Sequence, residues 1–365
     1  MSTFHSLPVI DIHYATEESV VISLEVPPAL KDDFQYLPGQ YLTIRKEMNG
    51  EEVRRAYSMC SSPFWDEPLR IGVKRVEGGL MSTFLHSTLS VGDELEVMAP
   101  AGRFTVNPDP DRRKTYVLIA AGSGITPMLS ILKSVIEEEP KSQVLLLYGN
   151  RNDKSVMFLE ELKSLEKRYT GQLEVAHILS KPGRSGGIFG WMNGQSIDLD
   201  ATKGRIDAPV LKRLLDAHPI VTDTVGYYIC GPGNMNEVVR EALIKRRVGS
   251  ESIHIEHFSS HHLPHEQVAQ GDVAGAELTV HLDGQTFKTN IPAGVNILQH
   301  LLNEGYDPPY SCTSGSCASC IGKVVSGKAR MEVCLALDED EVAEGFILTC
   351  QAHPASDLLE LTFEV

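Results

Sequence analysis

The chain has 365 residues, of which 42% are hydrophobic and 22% are charged, an ordinary composition for a globular protein of two to three domains. Its net charge of −16 argues against nucleic acid as a partner. No apolar run approaches the roughly 18 residues of a membrane helix, and residues 1–9 lack the features of a signal peptide, so no membrane partner and a cytoplasmic location are expected.

Residues 1–111 form the first predicted domain, in which short β-rich runs alternate with turns. This alternation is typical of a small antiparallel β-barrel. The predicted strands are 20–26, 41–44, 69–76 and 94–98.

Within this domain, Arg55, Tyr57 and Ser58 lie at the end of an apparent strand. An arginine can hold a pyrophosphate, a tyrosine can stack on an aromatic ring, and a serine hydroxyl can bond to a ring nitrogen. The glycines shortly before Ser82 let backbone N–H groups approach a phosphate, with support from a helix that starts nearby. By itself the R-x-Y-S pattern is too short to be specific.

Residues 112–260 form the second predicted domain, where apolar strands alternate with helical stretches, as in a parallel α/β sheet. After strand 116–121, residues 122–127 read Gly-Ser-Gly-Ile-Thr-Pro and lead into a helix. Such a turn presents backbone N–H groups and a helix N-terminus to a dinucleotide pyrophosphate. A tight turn without a ligand also accounts for the glycines alone.

Two polar segments separate or interrupt the predicted domains. Residues 261–275 are predicted to be a linker, because the stretch from 259 is polar and aperiodic. Its three histidines, at 261, 262 and 265, have no convergent carboxylates or thiols, so a solvated hinge is favoured over a metal site. Residues 182–203 are rich in glycine, carry Trp191 and are predicted to form an inserted surface loop.

Residues 276–365 form the last predicted domain, and five of the seven cysteines lie in it. Cys312, Cys317, Cys320 and Cys350 have the spacing C-x4-C-x2-C with a distant fourth cysteine, the pattern of a plant-type [2Fe-2S] cluster. Small residues between the first three allow backbone N–H groups to turn toward the sulfurs. The apolar run 346–348 predicts a buried strand that returns the fourth cysteine to the loop.

A zinc site is the alternative for these four cysteines, although zinc ribbons usually pair C-x2-C with C-x2-C. The remaining cysteines, Cys60, Cys230 and Cys334, are expected to be free thiols. The domain is acidic, with 13 acidic and 4 basic residues between 276 and 365. That charge either forms a solvated face or steers a basic partner toward the cluster.

Taken in order, these motifs resemble those of the ferredoxin-NADP reductase superfamily: R-x-Y-S at 55–58, G-x-G-x-T-P at 122–127, Y-G-N-R at 148–151 and C-G-P-G at 230–233. With a plant-type ferredoxin segment added, the chain is similar to the reductase components of multicomponent oxygenases. Among them it most resembles the reductases of bacterial phenylacetyl-CoA epoxidases, which share the opening T-F-H-S-L at 3–7 and the ending L-T-C-Q at 348–351.

The resemblance implies a multidomain fold with an antiparallel β-barrel flavin domain, an α/β parallel-sheet nucleotide domain and an α+β (β-grasp) ferredoxin domain. It also implies that Arg55, Tyr57 and Ser58 contact FAD, with Ser58 in a catalytic position near the reactive flavin nitrogen. The further residues of the implied FAD site are Val73, Lys74, Gly79, Ser82, Thr83 and Phe258. A core position is the alternative for Phe258.

By the same resemblance, the nicotinamide dinucleotide would be held by Gly122, Gly124, Thr126, Pro127, Cys230, Gly231 and Pro232. Cys230 would take a catalytic position near the nicotinamide ring, and a buried structural cysteine is the alternative.

The choice between NADPH and NADH depends on cations near the 2′ position, because a 2′-phosphate needs them. Arg151 follows the second strand of the predicted parallel sheet, and Lys181 follows the next one with Arg184 close by. These residues favour NADPH, whereas Asp153 favours NADH.

The predicted function is electron transfer from NADPH through FAD and a [2Fe-2S] cluster to a partner oxygenase. FAD is needed because hydride carries two electrons and the cluster accepts one at a time. The chain has no di-iron constellation of Glu and Glu-x-x-His on bundle helices, so the substrate is oxidised on another protein. The resemblance implies a di-iron oxygenase that epoxidises an aryl-CoA thioester in phenylacetate catabolism.

Alternative partners are a ring-hydroxylating oxygenase, another monooxygenase or a hybrid-cluster protein. A redox carrier or sensor that turns over no nucleotide is the alternative of a different class.

Overall fold

The structure is a computed structural model that describes residues 3–182, 199, 201–220, 222, 224–258 and 275–365. Most of the predicted insertion and linker lies outside these residues, as do Arg184, Trp191, His261, His262 and His265. No helix in the described part of the chain has both the length and the apolar character that crossing a membrane requires.

Six antiparallel strands form the first domain, in the order β4-β3-β6-β1-β2-β5. They are β1 (Phe4–Thr16), β2 (Ser19–Leu24), β3 (Tyr41–Met48), β4 (Glu51–Ser58), β5 (Leu69–Lys74) and β6 (Glu94–Met98). A bridge between Met59 and Ile71 joins the two edges of the sheet, which closes it into a barrel. Helix α1 (Leu80–Ser87) follows β5. The predicted antiparallel barrel is confirmed.

The second domain is a six-stranded parallel sheet in the order β10-β9-β8-β7-β11-β12. Its strands are β7 (Thr115–Ala121), β8 (Gln143–Asn150), β9 (Leu173–Leu179), β10 (Ala201–Lys203), β11 (Val225–Cys230) and β12 (Ile253–Glu256). Its helices are α2 (Ile125–Glu138), α3 (Leu159–Arg168), α4 (Ala208–Ala217) and α5 (Met235–Lys245). The strand order reverses at β7, so ligands are expected at the carboxyl ends of β7 and its neighbour β11.

A buried network of ion pairs joins these two domains. Lys133 of α2 is only 1% exposed, and its Nζ donates to Glu67 Oε2 of the barrel at 2.7 Å and to Glu161 Oε1 of α3 at 3.2 Å. Arg70 of β5 also donates to Glu161 Oε1, at 3.1 Å. Because a buried charge that loses its partner is strongly destabilising, these pairs hold the barrel and the nucleotide domain in one orientation.

The third domain is a mixed five-stranded sheet in the order β14-β13-β19-β15-β17, accompanied by the two-stranded pair β16-β18. Its strands are β13 (Gly275–Leu282), β14 (Gln285–Pro292), β15 (Ile321–Ser326), β16 (Ala329–Met331), β17 (Phe346–Leu348), β18 (Ala352–Pro354) and β19 (Leu358–Thr362). Helix α6 (Ile297–Asn303) buries Ile297 and Leu301 against the sheet, and α7 (Glu339–Ala343) is a short exposed helix. This α+β domain was predicted.

Candidate functional site

The four predicted cluster ligands come together at one end of the third domain. Cys312, Cys317 and Cys320 lie in the loop before β15, and Cys350 follows β17. Their thiols form two hydrogen-bonded pairs, Cys312 with Cys317 and Cys320 with Cys350. The bond between Cys312 and Cys317 lowers the pKa of the Cys312 thiol and raises that of the Cys317 thiol, so the two sulfurs share a proton that a bound iron would displace. Two thiol pairs suit a cluster of two irons, each of which takes two protein sulfurs.

The backbone of the cluster loop is shaped around the sulfurs. Thr313, Gly315 and Ala318 all have positive φ, between 55° and 74°. The N–H of Ser314 lies 3.4 Å from Cys312 Sγ, and the N–H of Cys312 lies 3.5 Å from Cys317 Sγ. A side chain at Gly315 would place its Cβ 2.8 Å from the Val333 carbonyl oxygen. The predicted N–H contacts to sulfur are confirmed for these two amides, and the loop fits a cluster.

The candidate flavin edge is built where β4 of the barrel meets β12 of the nucleotide domain. Ser58, the last residue of β4, is buried, and its hydroxyl donates to Glu256 Oε2 at 3.3 Å. Burial raises the pKa of the Glu256 carboxyl to about 8, and the bond from Ser58 opposes the rise only in part. Glu256 therefore holds a proton at neutral pH. It was not predicted as a site residue, because its partner is 198 positions away.

Aromatic side chains lie on β4 and just beyond the end of β12. Tyr57 precedes Ser58 on β4, and burial raises the pKa of its phenol so that it stays protonated. Phe258 lies two residues beyond Glu256 and is 42% exposed, which argues against its alternative interpretation as a core residue. An exposed phenyl ring and a tyrosine at this edge fit an aromatic cofactor ring. Arg55 is exposed, as a phosphate-binding side chain requires.

The remaining predicted FAD residues lie around the start of α1. Gly79 is the N-cap residue, and a Cβ there would lie 2.6 Å from Ser82 Oγ. That hydroxyl accepts the Val76 N–H at 3.1 Å, so Ser82 shapes the loop over which a phosphate would lie. Thr83 is exposed on the first turn of α1. Val73 is buried in β5, and its neighbour Lys74 is partly exposed.

A groove of about 980 Å³ opens at the carboxyl ends of the parallel strands. Lys74, Gly122, Arg151 and Pro232 of the predicted cofactor residues line it. Among the described residues, Lys181 lies outside this lining, although its backbone N–H donates to the Arg151 carbonyl oxygen at 2.7 Å. Two further cations that sequence reasoning missed also line the groove, Lys154 and Arg205.

The two glycine-containing turns of the nucleotide domain touch each other at the point where the strand order reverses. A Cβ on Gly124 would lie 2.1 Å from the carbonyl oxygen of Cys230, and one on Gly231 would lie 2.2 Å from the methyl group of Met235. Gly122 has a φ of 55°. Packing against backbone therefore requires glycine at 124, and the positive φ favours glycine at 122, whereas the flexible Met235 side chain can move away from position 231.

Thr126 and Pro127 are buried in the first turn of α2, and the Thr126 hydroxyl donates to the Ser123 carbonyl oxygen at 3.0 Å. Cys230 is 1% exposed, and burial raises its thiol pKa well above the usual value. It is also the register partner of Glu256 across β11 and β12. Cys230 is thus a neutral thiol beside the Ser58–Glu256 pair. It can contact a ligand by packing, but it is not a reactive thiolate.

The loop of the third domain that carries the cluster cysteines contacts the barrel directly. The Tyr41 hydroxyl of β3 donates to the Cys317 carbonyl oxygen at 2.8 Å and lies 2.6 Å from Ser319 Oγ. Tyr41 is the register partner of Ser58 across β3 and β4. The candidate flavin edge, the end of the nucleotide groove and the cluster loop therefore meet in one place.

A substitution at Glu256 tests whether its carboxyl is protonated in the folded protein. In the unfolded chain the carboxyl ionises near 4.5, whereas in the folded protein it stays protonated up to about pH 8. Between these values only the folded state binds the proton, so the free energy of unfolding should fall as pH rises, by at most about 1.4 kcal/mol per pH unit. In Glu256→Gln the free energy of unfolding should not fall with pH in this way. Urea denaturation at several pH values between 4.5 and 8 would measure the difference. Equal pH slopes for both proteins would contradict the assignment.

Three family matches cover most of the chain. Residues 6–106 match the oxidoreductase FAD-binding domain, residues 118–241 the oxidoreductase NAD-binding domain, and residues 280–355 the 2Fe-2S iron-sulfur cluster binding domain. These matches confirm the predicted cofactors: FAD, a nicotinamide dinucleotide and a [2Fe-2S] cluster. They do not support the zinc alternative for the four cysteines.

The chain is also similar to characterised proteins over its full length. It is 35% identical over 365 residues to one of the subunits of 1,2-phenylacetyl-CoA epoxidase from Escherichia coli (strain K12), a match that covers 100% of this chain and 99% of that one. It is 38% identical over 349 residues to the ferredoxin reductase component of 3-ketosteroid-9-alpha-monooxygenase from Mycobacterium tuberculosis, a match that covers 93% and 88%.

Among solved structures, phthalate dioxygenase reductase superposes with a TM-score of 0.57 at 25% identity and covers 99% of this chain and 98% of that one. That protein is described as a modular structure for electron transfer from pyridine nucleotides to [2Fe-2S].

Proposed function

Since the chain belongs to the family of NAD(P)H-dependent flavin and iron–sulfur reductases that serve oxygenases, we propose that it passes electrons from NADPH through FAD and its [2Fe-2S] cluster to a di-iron oxygenase. The order of electron transfer is supported by one observation: the nucleotide groove, the flavin edge and the cluster loop lie next to one another. Glu256 contacts Ser58 on the flavin side and is in register with Cys230 on the nucleotide side, while Tyr41, opposite Ser58, contacts the cluster loop.

The protein residues bind and orient the reactants in this proposal. Bound FAD supplies the conversion of a two-electron hydride into single electrons. The groove holds the dinucleotide at the turns that carry Gly122 and Pro232, and the Cys230 thiol packs where the nicotinamide would approach Ser58. The protonated Glu256 carboxyl lies 3.3 Å from Ser58 Oγ, close enough to pass a proton through that hydroxyl and so balance the charge that electron transfer adds and removes. Cys312, Cys317, Cys320 and Cys350 hold the cluster.

The final acceptor in this proposal is an oxygenase that epoxidises a CoA thioester of the phenylacetyl type, since the Escherichia coli relative is named as a subunit of 1,2-phenylacetyl-CoA epoxidase. A steroid monooxygenase is the second candidate, since its Mycobacterium tuberculosis reductase component is 38% identical to this chain.

Anaerobic stopped-flow mixing with NADPH tests the core of the proposal. We expect the flavin absorbance to begin to bleach before the cluster absorbance, because the hydride reaches the flavin first. A flavin that NADPH does not bleach would overturn the proposal and favour a carrier or sensor. Adding either the epoxidase or the steroid oxygenase components then identifies the acceptor, because only the physiological partner couples NADPH oxidation to product formation.

The preference for NADPH can be tested at Arg151. We expect Arg151→Gln to raise the KM for NADPH about tenfold, since a hydrogen bond to a charged group contributes roughly 1.5 kcal/mol, and to leave the KM for NADH unchanged. Arg113→Gln is a matched control, because Arg113 is exposed just before β7, at the opposite end of the sheet. Equal changes for both nucleotides would show that Arg151 does not contact a 2′-phosphate.

A further inference from the structure

The surface between the barrel and the third domain is formed mainly by one face of β3 and β4. Tyr41 and Thr43 are two positions apart on β3, so their side chains leave the strand in the same direction. Thr43 Oγ1 donates to Ser311 Oγ at 3.0 Å, and both residues are buried. Ser311 directly precedes the first cluster cysteine. The hydrogen bonds described for both β3 side chains therefore reach the third domain at the cluster loop.

A second set of contacts flanks this pair. Arg54 of β4 is 4% exposed, donates to Asp307 Oδ1 at 3.0 Å and stacks on the Tyr310 ring at 4.1 Å. The Tyr310 hydroxyl donates to Glu52 Oε1 at 3.2 Å. These groups precede the cysteine loop, so they align the domain without touching the segment that contains Cys317.

Contacts within the barrel fix the position of the Tyr41 ring. Its backbone exchanges two hydrogen bonds with Ala101, at 2.9 Å and 3.0 Å. Its ring packs on Gly102, where a Cβ would lie 2.9 Å from two ring carbons. Tyr41 is 3% exposed, so the hydroxyl has a single direction in which to point, toward Cys317 and Ser319.

Tyr41 also lies opposite the flavin edge. Its register partner on β4 is Ser58, and Ser58 donates to Glu256. Together with the Thr43–Ser311 bond, Tyr41 therefore joins β3, the neighbour of the strand that carries Ser58, to the loop that carries the cluster cysteines.

We propose that Tyr41 is a positioning residue that holds the Cys317–Ser319 stretch of the cluster loop against the flavin edge of the barrel and so controls electron transfer from flavin to cluster. This inference rests on the proposed function. The phenol hydroxyl bonds to the backbone of a cluster ligand, and the rest of the ring packs on the barrel. Transfer between two sites on separate domains needs such a fixed contact, because a domain that is docked for a smaller share of the time transfers electrons more slowly.

The variant Tyr41→Phe removes the hydroxyl and keeps the packing on Gly102. Losing a hydrogen bond of about 1.4 kcal/mol should lower the equilibrium constant for docking about tenfold. We expect hydrogen exchange of the loop amides 311–320 to become correspondingly faster in the FAD-loaded and cluster-loaded protein. In stopped-flow experiments, cluster bleaching after flavin reduction should slow by up to the same factor, while flavin bleaching by NADPH keeps its rate.

Two further variants make the test specific. Tyr36→Phe is the matched control, because the Tyr36 hydroxyl bonds at 2.8 Å to Ser61 of the same barrel; it should change neither loop exchange nor cluster bleaching. Thr43→Val removes the other β3 contact and should add its own increase in loop exchange to that of Tyr41→Phe. The inference fails if Tyr41→Phe leaves loop exchange and cluster bleaching unchanged, or if it slows flavin bleaching equally. Wild-type protein in which NADPH does not bleach the flavin would instead overturn the proposed function.

Discussion

Cys350→Ala is expected to abolish reduction of the oxygenase partner while leaving reduction of ferricyanide by NAD(P)H close to the wild-type rate. The variant removes one of four thiolates and offers no replacement ligand, so the cluster is not retained. Cys350 is 4% exposed, which leaves little room for water to take its place. Ferricyanide can take electrons from the flavin directly, so its reduction measures electron transfer from NAD(P)H to the flavin without the cluster. Cluster loss is read from iron content and visible absorbance.

Cys334→Ala is the control for this experiment. Cys334 lies in the same domain, is only partly buried and bonds weakly to the Leu337 carbonyl oxygen at 3.9 Å. It should keep its cluster and full transfer to the partner. A Cys350→Ala protein that retained wild-type iron and partner reduction would remove Cys350 from the ligand set.

Gly124→Ala should have the second large effect, on both stability and flavin reduction. The new Cβ would lie 2.1 Å from the Cys230 carbonyl oxygen, a backbone atom that cannot rotate away. Overpacking of this kind costs about 3 kcal/mol of unfolding free energy. The Cys230 segment must also shift relative to Ser58, and a misplacement of about 1 Å near reacting groups can slow a reaction about 100-fold. Urea denaturation and the rate of flavin bleaching measure the two effects.

Gly171→Asn is the matched control, because Gly171 has positive φ, at 87°, but a Cβ there meets no atom within 4 Å. Asparagine tolerates that conformation, so stability and rate should change little. If Gly124→Ala behaved like this control, close packing between the two turns would not be needed for nucleotide chemistry.

The elements that sequence reasoning placed best are those with a strong local signal. Strands β6 (Glu94–Met98) and β17 (Phe346–Leu348) have the predicted bounds, because β6 alternates polar and apolar residues and β17 is a short apolar run. Strand β1 was missed, since Pro8 lies inside it and a proline usually ends a strand. In the structure Pro8 sits where β1 changes partner, pairing with β6 before this point and with β2 after it.

The candidate site was predicted unevenly for a similar reason. Motifs that are continuous in sequence, such as the turn around Gly122 and the cysteine loop, could be located before the structure was known. Glu256, Tyr41 and Arg205 could not, because each acquires its place through segments far away in the chain. Tyr41 meets Cys317 across 276 positions, and no periodicity or composition reports a contact of that kind.

The buried network around Lys133 has a consequence for how such a protein can be recombined. A foreign nucleotide domain grafted onto this barrel would strand Glu67 and Arg70 without their described partners on α2 and α3. A foreign ferredoxin domain would need a loop that accepts Tyr41 and Thr43, and acids opposite Arg54 and Arg103. Chimeric reductases are therefore best joined between residues 258 and 275. Exchanging the ferredoxin domain there should direct electrons to a different acceptor and leave the flavin and nucleotide domains unchanged.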